Sequence, residues 1–163
     1  MILSDIEAKA DAIAQAYNPD HVSPFPFENL THEPVDIYLV DLGNDIAGAI
    51  EWDTHTKKFE IFVDEKKKHT KQYFTIAHAL GHYFLHPDIV KKEEVLVDTV
   101  SMQATGDVAT RECEANTFAA ALIMPRELVK KAWTALQSVQ ECATIFHVSL
   151  SSMSQRLEAL GLV

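Results

Sequence analysis

The most informative stretch of the chain is residues 74–86, which read Phe-Thr-Ile-Ala-His-Ala-Leu-Gly-His-Tyr-Phe-Leu-His. A helical period begins at about Thr70 and ends near Pro87, and its apolar stripe consists of Tyr73, Ala77, Leu80 and Phe84. His78 and His82 are four residues apart on the opposite face, where both imidazoles can bind one metal ion. Spacing alone is weak evidence, because 8 histidines in 163 residues give about 0.4 such pairs by chance. The surrounding sequence therefore has to support the metal site.

A glycine inside the same helix strengthens the metal-site hypothesis. A mid-helix glycine such as Gly81 costs about 1 kcal/mol relative to alanine, and the usual reason to keep one is the close approach of another backbone or a ligand. The histidine face also lies opposite the apolar stripe, so the two imidazoles are not explained as core filling. We therefore expect the helix to carry two metal ligands at a point of close contact.

A second helical segment offers the third ligand that a catalytic metal site needs. Residues 111–121 read Arg-Glu-Cys-Glu-Ala-Asn-Thr-Phe-Ala-Ala-Ala, and their alanines permit tight helix packing. Glu112 is the favoured ligand, because Asn116 follows one turn later and can accept the free N–H of a metal-bound histidine. Glu114 is the competing ligand and points to a different side of the helix.

The two segments together resemble the signature of a known family. Residues 74–86 resemble the pattern F-T-x-A-H-E-L-G-H-x-x-L-H of the ImmA/IrrE metallopeptidases, the M78 type, and residues 112–125 resemble their block E-x-x-A-[ND]-x-F-A-x-x-L-L-M-P. Two blocks in the right order are more specific than one. The resemblance implies that His78, His82 and Glu112 bind Zn2+. It also implies an endopeptidase that cleaves a helix-turn-helix repressor during a stress, phage or mobile-element response.

The chain departs from the family pattern at one catalytic position. The family has a glutamate there, which takes a proton from zinc-bound water and returns it to the leaving amine, whereas this chain has Ala79. A methyl group cannot accept a proton, and a positioned acid or base contributes about 10²- to 10⁴-fold to the rate. We interpret Ala79 as an inactivating substitution in an active parent, because the rest of the pattern is intact. The alternative is a natural zinc-binding pseudoenzyme that acts as a regulatory binding protein.

Two further residues near the site have competing interpretations. His86 continues the signature, and we expect it to close the helix, where the helix dipole favours a histidine, rather than to bind metal. Cys113 is either a small buried hydrophobe or an inhibitory fourth zinc ligand, whose thiolate blocks water until it is oxidised or displaced. Neighbouring helical residues diverge by about 100°, so Cys113 and Glu112 reach one ion only if the helix begins irregularly.

The N-terminal part of the chain predicts a helix followed by a small sheet. Residues 4–17 have a helical apolar pattern, with Ser4 as N-cap and Glu7 completing a capping box. The stretch 19–34 contains four prolines and is expected to be an ordered loop. Three strand-like runs follow and indicate an antiparallel meander; they are residues 35–42, 47–52 and 59–63.

The C-terminal part of the chain predicts further helices. A mobile-looking stretch, residues 88–106, leads to a helix at about 108–123, and Pro125 opens the next helix. Residues 137–160 form two short helices that are broken at Val148-Ser149. The fold class is therefore α+β, with a small antiparallel β-sheet packed against a zincin-like helical core and C-terminal helices.

Length and composition indicate one domain, residues 1–163, because 47% apolar residues suffice for a core at this size. It divides into an N-terminal helix and sheet (1–69), zinc-site helices (70–124) and C-terminal helices with a helix-turn-helix-like end (125–163). No apolar run approaches the roughly 20 residues that span a bilayer, and the acidic start does not resemble a signal peptide. Two cysteines without CxxC spacing favour a reducing compartment. We expect a cytoplasmic protein that contacts no membrane.

The formal net charge of -10 argues against a nonspecific grip on nucleic acid. The exception is a basic run that could touch an anion, formed by Lys66, Lys67, Lys68, His69 and Lys71. Residues 140–160 resemble a helix-turn-helix, but Arg156 is their one Lys or Arg, so a packing or substrate-docking role is preferred. A DNA-binding regulator is thus the third hypothesis. The first two are a peptidase that binds an extended repressor segment along a sheet edge and a non-catalytic zinc regulator.

Overall fold

A computed structural model describes residues 1–99 and 104–163 of the chain. In these two ranges it contains seven α-helices, four β-strands and a short 3-10 helix at Phe27–Asn29. The helices are α1 (Leu3–Tyr17), α2 (His69–Leu85), α3 (Pro87–Glu93), α4 (Gly106–Ile123), α5 (Arg126–Leu136), α6 (Val139–Phe146) and α7 (Leu150–Ala159). The strands are β1 (Val35–Val40), β2 (Ile46–Asp53), β3 (Lys58–Asp64) and β4 (Val95–Thr99). The predicted α+β class is confirmed.

The four strands form one mixed sheet in the order β1-β3-β2-β4. β2 pairs antiparallel with β3 and with β4, whereas β1 pairs with β3 in parallel. The predicted meander is therefore wrong for β1, because β3 lies between β1 and β2. Apolar alternation indicates which face of a strand is buried, as it does for Phe59, Ile61 and Val63 of β3, but it does not identify the neighbouring strand.

The stretch that the sequence predicts to be mobile contains two regular elements. Pro87 lies in the first turn of α3, where proline is tolerated, and β4 then extends the sheet beside β2. β4 is short and carries the partly exposed apolar residues Val95 and Val97, so its sequence has no clear buried face. The end of that stretch, residues 100–103, lies outside the described residues.

The predicted helices are confirmed to within a turn at their ends. The capping box is wrong, because α1 begins at Leu3 with Ile2 in the N-cap position and no side-chain cap hydrogen bond. The break between the last two helices is confirmed, and its cause is a cap: the Ser149 side chain accepts a hydrogen bond from the backbone N–H of Ser152.

α2 occupies the middle of the fold. It contacts β2, β3 and α4, and α4 in turn contacts α1. The core between these layers includes the fully buried side chains of Ile6, Ile61, Leu80, Phe118 and Leu122. None of the helices in the described ranges combines the length and the apolar character needed to cross a bilayer. Side chains on the inner faces of α2 and α4 are therefore held in a closely packed environment.

Candidate metal centre

Three side chains from two helices converge inside the fold. His78 and His82 lie on α2, and Glu112 lies on α4. The two Nε2 atoms are 3.2 Å apart, and oxygens of Glu112 lie 3.1 Å from that of His78 and 3.2 Å from that of His82. All three ligand atoms are within 4.8 Å of one another. The structure thus brings together the three residues predicted as ligands, in an arrangement that could hold a metal ion.

This convergence depends on the close approach of α4 to α2 at Gly81. A Cβ atom on Gly81 would lie 2.8 Å from the carbonyl oxygen of Ala115 and 2.9 Å from its Cα atom. Real Cβ atoms essentially never come this close to another backbone, so a glycine is required here. Ala115 follows Glu112 by about one turn, and the contact therefore also sets the distance from the carboxylate to the histidines.

His78 is oriented by Asn116, as the sequence predicts. The Asn116 Oδ1 atom lies 2.8 Å from Nδ1 of His78. Because this carbonyl oxygen only accepts hydrogen bonds, the Nδ1–H of His78 donates, and in the neutral, metal-binding form of the ring the Nε2 atom keeps its lone pair. The Nε2 lone pair is the one that faces the carboxylate of Glu112.

His82 is oriented through two successive hydrogen bonds. Its Nδ1 lies 3.2 Å from Nδ1 of His86, and Nε2 of His86 lies 2.7 Å from an oxygen of Glu114. A carboxylate only accepts, so His86 donates from Nε2, and its Nδ1 accepts from the Nδ1–H of His82. The Nε2 lone pair of His82 is thereby left for a metal ion.

These contacts resolve two alternatives that the sequence left open. His86 closes α2 at the C-cap position, as predicted, and it additionally supports His82. Glu114, the competing ligand, contacts His86, whereas Glu112 contacts both histidines that face the cluster. The geometry therefore favours Glu112 as the third ligand.

The ionisable groups of the cluster are strongly coupled. Burial alone would raise the pKa of Glu112, but without a metal the Nε2 atoms of His78 and His82 can carry protons, and their hydrogen bonds to the carboxylate outweigh burial and hold this pKa below its ordinary value. Burial would lower the pKa of His78, but Glu112 and Asp98 raise it. For His82, burial prevails and the pKa is lowered. The carboxylate is thus ionised and His82 is neutral at neutral pH, the forms in which these groups bind metals.

Position 79 faces a small cavity beside the cluster. Ala79 is 5% exposed and lines this cavity together with both histidines and Thr75. The remaining walls come from Glu112 and from β2 and β4, through Gly48, Ala49, Ile50, Leu96, Val97 and Asp98. The cavity volume is about 10 Å³, close to the space that one water molecule needs. Residue 79 and the candidate ligands therefore share one confined space.

Cys113 lies outside the cluster. It is exposed, so the interpretation as a buried hydrophobe is wrong. Together with Glu112 and Asn116 it lines a wide groove of about 980 Å³. Within the described residues its sulfur is not one of the converging ligand atoms. An inhibitory thiolate cap would require the beginning of α4 to unwind, and it stays a prediction.

The basic residues that suggested nucleic-acid binding are partly neutralised. The Nζ of Lys66 lies 2.6 Å from Asp41, and that of Lys67 lies 3.5 Å from Asp64. Arg156, in the helix-turn-helix-like end, is buried and donates hydrogen bonds to Glu7 of α1 and to the backbone of Met124, which shows a packing role.

Sequence reasoning missed what β4 and Thr75 contribute. Asp98 lines the cavity, but the sequence pattern predicts no strand at the position of β4 and therefore does not bring Asp98 to the site. Helical spacing puts Thr75 on the same face of α2 as His78 and His82, yet its hydroxyl is completely buried, which spacing alone does not reveal. The contact between His82 and His86 could be predicted from the sequence, since the two residues are one helical turn apart.

The chain is similar in sequence to known metallopeptidases. The sequence profile of the peptidase M78 family, described as the IrrE N-terminal-like domain, matches residues 33–158. The chain is also 27% identical to the metallopeptidase ImmA of Bacillus subtilis (strain 168) over an alignment of 163 positions, which covers 96% of this chain and 86% of that protein. The matched range contains all three members of the His-His-Glu cluster, and it covers more than half of the chain.

Proposed function

This chain belongs to the peptidase M78 family of IrrE N-terminal-like domains, and from that premise we propose that it is a zinc-dependent endopeptidase domain whose general-base position holds Ala79. An active parent carries glutamate at this position and cleaves a helix-turn-helix transcriptional repressor. The chain with Ala79 binds zinc and its substrate but does not cut. The observation that carries the proposal is the convergence of His78, His82 and Glu112 beside this position.

Zinc is the ion that the ligand set fits best. Two imidazole nitrogens and one carboxylate, with an open fourth position, are a donor set typical of catalytic zinc. Bond lengths of about 2.0–2.1 Å in a tetrahedron place ligand atoms roughly 3.3 Å apart. The two Nε2 atoms are 3.2 Å apart, one oxygen of Glu112 lies 3.1 Å from that of His78, and its other oxygen lies 3.2 Å from that of His82. Zn2+ therefore fits between these atoms with little rearrangement.

The residues around the cluster divide the catalytic work. When bound, zinc would supply a Lewis acid and an acidified water at neutral pH. Asn116 and His86 hold the two histidines in the orientation that leaves Nε2 free. A glutamate at position 79 would point from α2 towards this cavity and the ligands that line it, where it can accept a proton from water and pass it to the leaving amine. An alanine cannot do this, so the expected loss in rate is about 10²- to 10⁴-fold.

The sheet edge next to the site offers a place for an extended substrate. β4 is the edge strand on this side, and its residues Leu96, Val97 and Asp98 also line the cavity. A peptide that adds to the free edge of β4 would pair through main-chain hydrogen bonds and place apolar side chains on Val95 and Val97, which are partly exposed. A repressor segment bound in this way would pass close to the metal. Such a protein acts in the cytoplasm, in a stress, phage or mobile-element response.

A second candidate function rests on Ala79 itself. The ligands, their hydrogen-bonding partners and the Gly81 contact are all in place although the general base is absent. A natural pseudoenzyme that binds zinc and regulates a partner by binding alone would have this combination.

Restoring the general base tests the two candidates against each other. The Ala79→Glu protein, loaded with zinc, is incubated with the helix-turn-helix repressors encoded beside its own gene. The matched control is Ala79→Gln, because glutamine has almost the same size but does not act as a base. We expect cleavage by Ala79→Glu and none by Ala79→Gln or by the chain with Ala79. If Ala79→Glu binds zinc and cuts none of these repressors, the peptidase proposal fails and the regulatory candidate takes its place.

A further inference from the structure

Thr75 buries a hydroxyl group that has no hydrogen-bond partner within the described residues. The residue is 1% exposed, and its Oγ1 atom is completely buried. Thr75 lines the same cavity as His78 and Ala79. Buried hydroxyl groups are normally hydrogen-bonded, because burial without a partner costs free energy, so an exception calls for an explanation.

The direction of this hydroxyl is fixed by the packing of the rest of the side chain. The Cγ2 methyl of Thr75 lies 2.5 Å from the point that a Cβ atom on Gly48 would occupy, so the methyl fills the space left by this glycine. A threonine in a helix can bond the carbonyl oxygen one turn earlier. Here that bond is not made, no other described residue pairs with the hydroxyl, and Thr75 is part of the cavity wall.

The missing partner corresponds to the side chain at position 79. Residues 75 and 79 are four apart on α2 and lie on the same face. Helical side chains lean towards the N-terminus of their helix, so a long side chain at position 79 leans over Thr75. A glutamate there would point two acceptor oxygens towards Thr75 and the cavity, whereas Ala79 brings none.

We propose that Thr75 is a positioning residue for the catalytic carboxylate: its hydroxyl donates a hydrogen bond to a glutamate at position 79, a bond that the methyl group of Ala79 cannot accept. The contact follows from the fold alone, but its role in catalysis rests on the proposed peptidase function. Thr75 holds the carboxylate in one rotamer next to the metal ligands, and the methyl packed on Gly48 holds Thr75.

A double-mutant cycle on unfolding temperature tests the contact without any need for cleavage. The four full-length proteins are the chain with Ala79, Thr75→Val, Ala79→Glu and the double variant, each measured with zinc and again with a chelator. Valine keeps the shape of threonine and removes the hydroxyl. In the protein that keeps Ala79, we expect Thr75→Val to leave Tm unchanged or to raise it. In the Ala79→Glu protein, we expect the same change to lower Tm by about 2–4 °C. An equal effect of Thr75→Val in both backgrounds would overturn the proposal.

A second comparison covers the case in which a valine variant does not fold. Thr75→Ala removes both branches of the side chain, and Thr75→Ser retains the hydroxyl. The Thr75→Ser protein should have a higher Tm than the Thr75→Ala protein, and this difference should be larger in the Ala79→Glu background than in the background that keeps Ala79. The same margin in both backgrounds contradicts the proposal.

Kinetics then separate positioning from a merely structural role. In the zinc-loaded Ala79→Glu protein we expect Thr75→Val to lower kcat about tenfold with KM unchanged, and Thr75→Ser to restore most of the loss. A loss confined to KM, or no rescue by serine, contradicts the catalytic role. If Ala79→Glu itself cuts nothing while the Tm cycle shows coupling, the proposed function has failed but the contact stands.

Discussion

Replacing Gly81 with alanine should disturb the metal centre although the residue binds nothing itself. The added Cβ would lie 2.8 Å from the Ala115 carbonyl oxygen, about 0.6 Å short of the 3.4 Å at which ordinary contact begins. Both neighbours are backbone atoms of α4, so no side-chain rotation can relieve the clash. α4 must therefore move away from α2, and it takes Glu112 with it.

The size of the effect follows from two opposing contributions. Overpacking of a close contact costs about 1–3 kcal/mol, and alanine regains about 1 kcal/mol over glycine in a helix. The net loss is up to about 2 kcal/mol, which corresponds to a decrease in Tm of about 4–8 °C for a chain of this length. Displacement of the Glu112 carboxylate should also weaken zinc binding by roughly tenfold, which is similar to the effect of removing a residue that hydrogen-bonds to a metal ligand.

Thermal unfolding of the metal-free protein and a competition titration with a zinc chelator measure these two effects. The Ala115→Gly change is the matched control, because it removes a side chain but not the backbone atoms in the clash. It should therefore fail to rescue Gly81→Ala. A Gly81→Ala protein with unchanged Tm and unchanged zinc affinity would refute the argument that this contact sets the ligand geometry.

Three further predictions concern residues around the centre. Asn116→Ala removes the acceptor for the Nδ1–H of His78 and should weaken zinc binding by about 10- to 100-fold, whereas Asn116→Asp should retain most of the affinity; chelator competition measures both. Glu7→Gln weakens the hydrogen bond from buried Arg156, and chemical denaturation at pH 7 should show a loss of about 1.5–3 kcal/mol. Although burial raises the pKa of Glu7, its contacts with Arg156 lower it overall, so this stabilisation is present above the ordinary value of 4.5 and should disappear as the pH falls below it. Cys113→Ser in the Ala79→Glu protein should raise basal cleavage and remove its response to mild oxidant if the thiolate caps the zinc, whereas unchanged basal cleavage would exclude the cap and agree with the exposed position of this thiol outside the cluster.

The parts of the site that sequence could predict are those encoded by local spacing. His78 and His82 are separated by one helical turn, and Asn116 follows Glu112 by the same interval. Gly81 predicted a close approach, because a mid-helix glycine is costly unless another backbone needs the space. Each of these inferences requires only that the segment be helical, which its apolar period shows.

The parts that sequence could not predict depend on how separate elements meet. The parallel pairing of β1 with β3 requires a choice of neighbour that apolar alternation does not contain. The contact between His86 and Glu114 depends on the rotation of α4 relative to α2, and so does the exposure of Cys113. β4 was missed because an edge strand has weak apolar alternation, and the cavity wall that it forms was missed with it.

The most direct test of the account is the zinc content of the protein with Ala79, purified without chelator and measured by elemental analysis. We predict one zinc per chain, because position 79 supplies no ligand and His78, His82 and Glu112 are all in place. His82→Ala should lose the metal, and His55→Ala, which removes a histidine whose side chain is 95% exposed, should retain it. A zinc content near zero in the protein with Ala79, or equal content in His82→Ala, would contradict the metal centre and the function proposed from it.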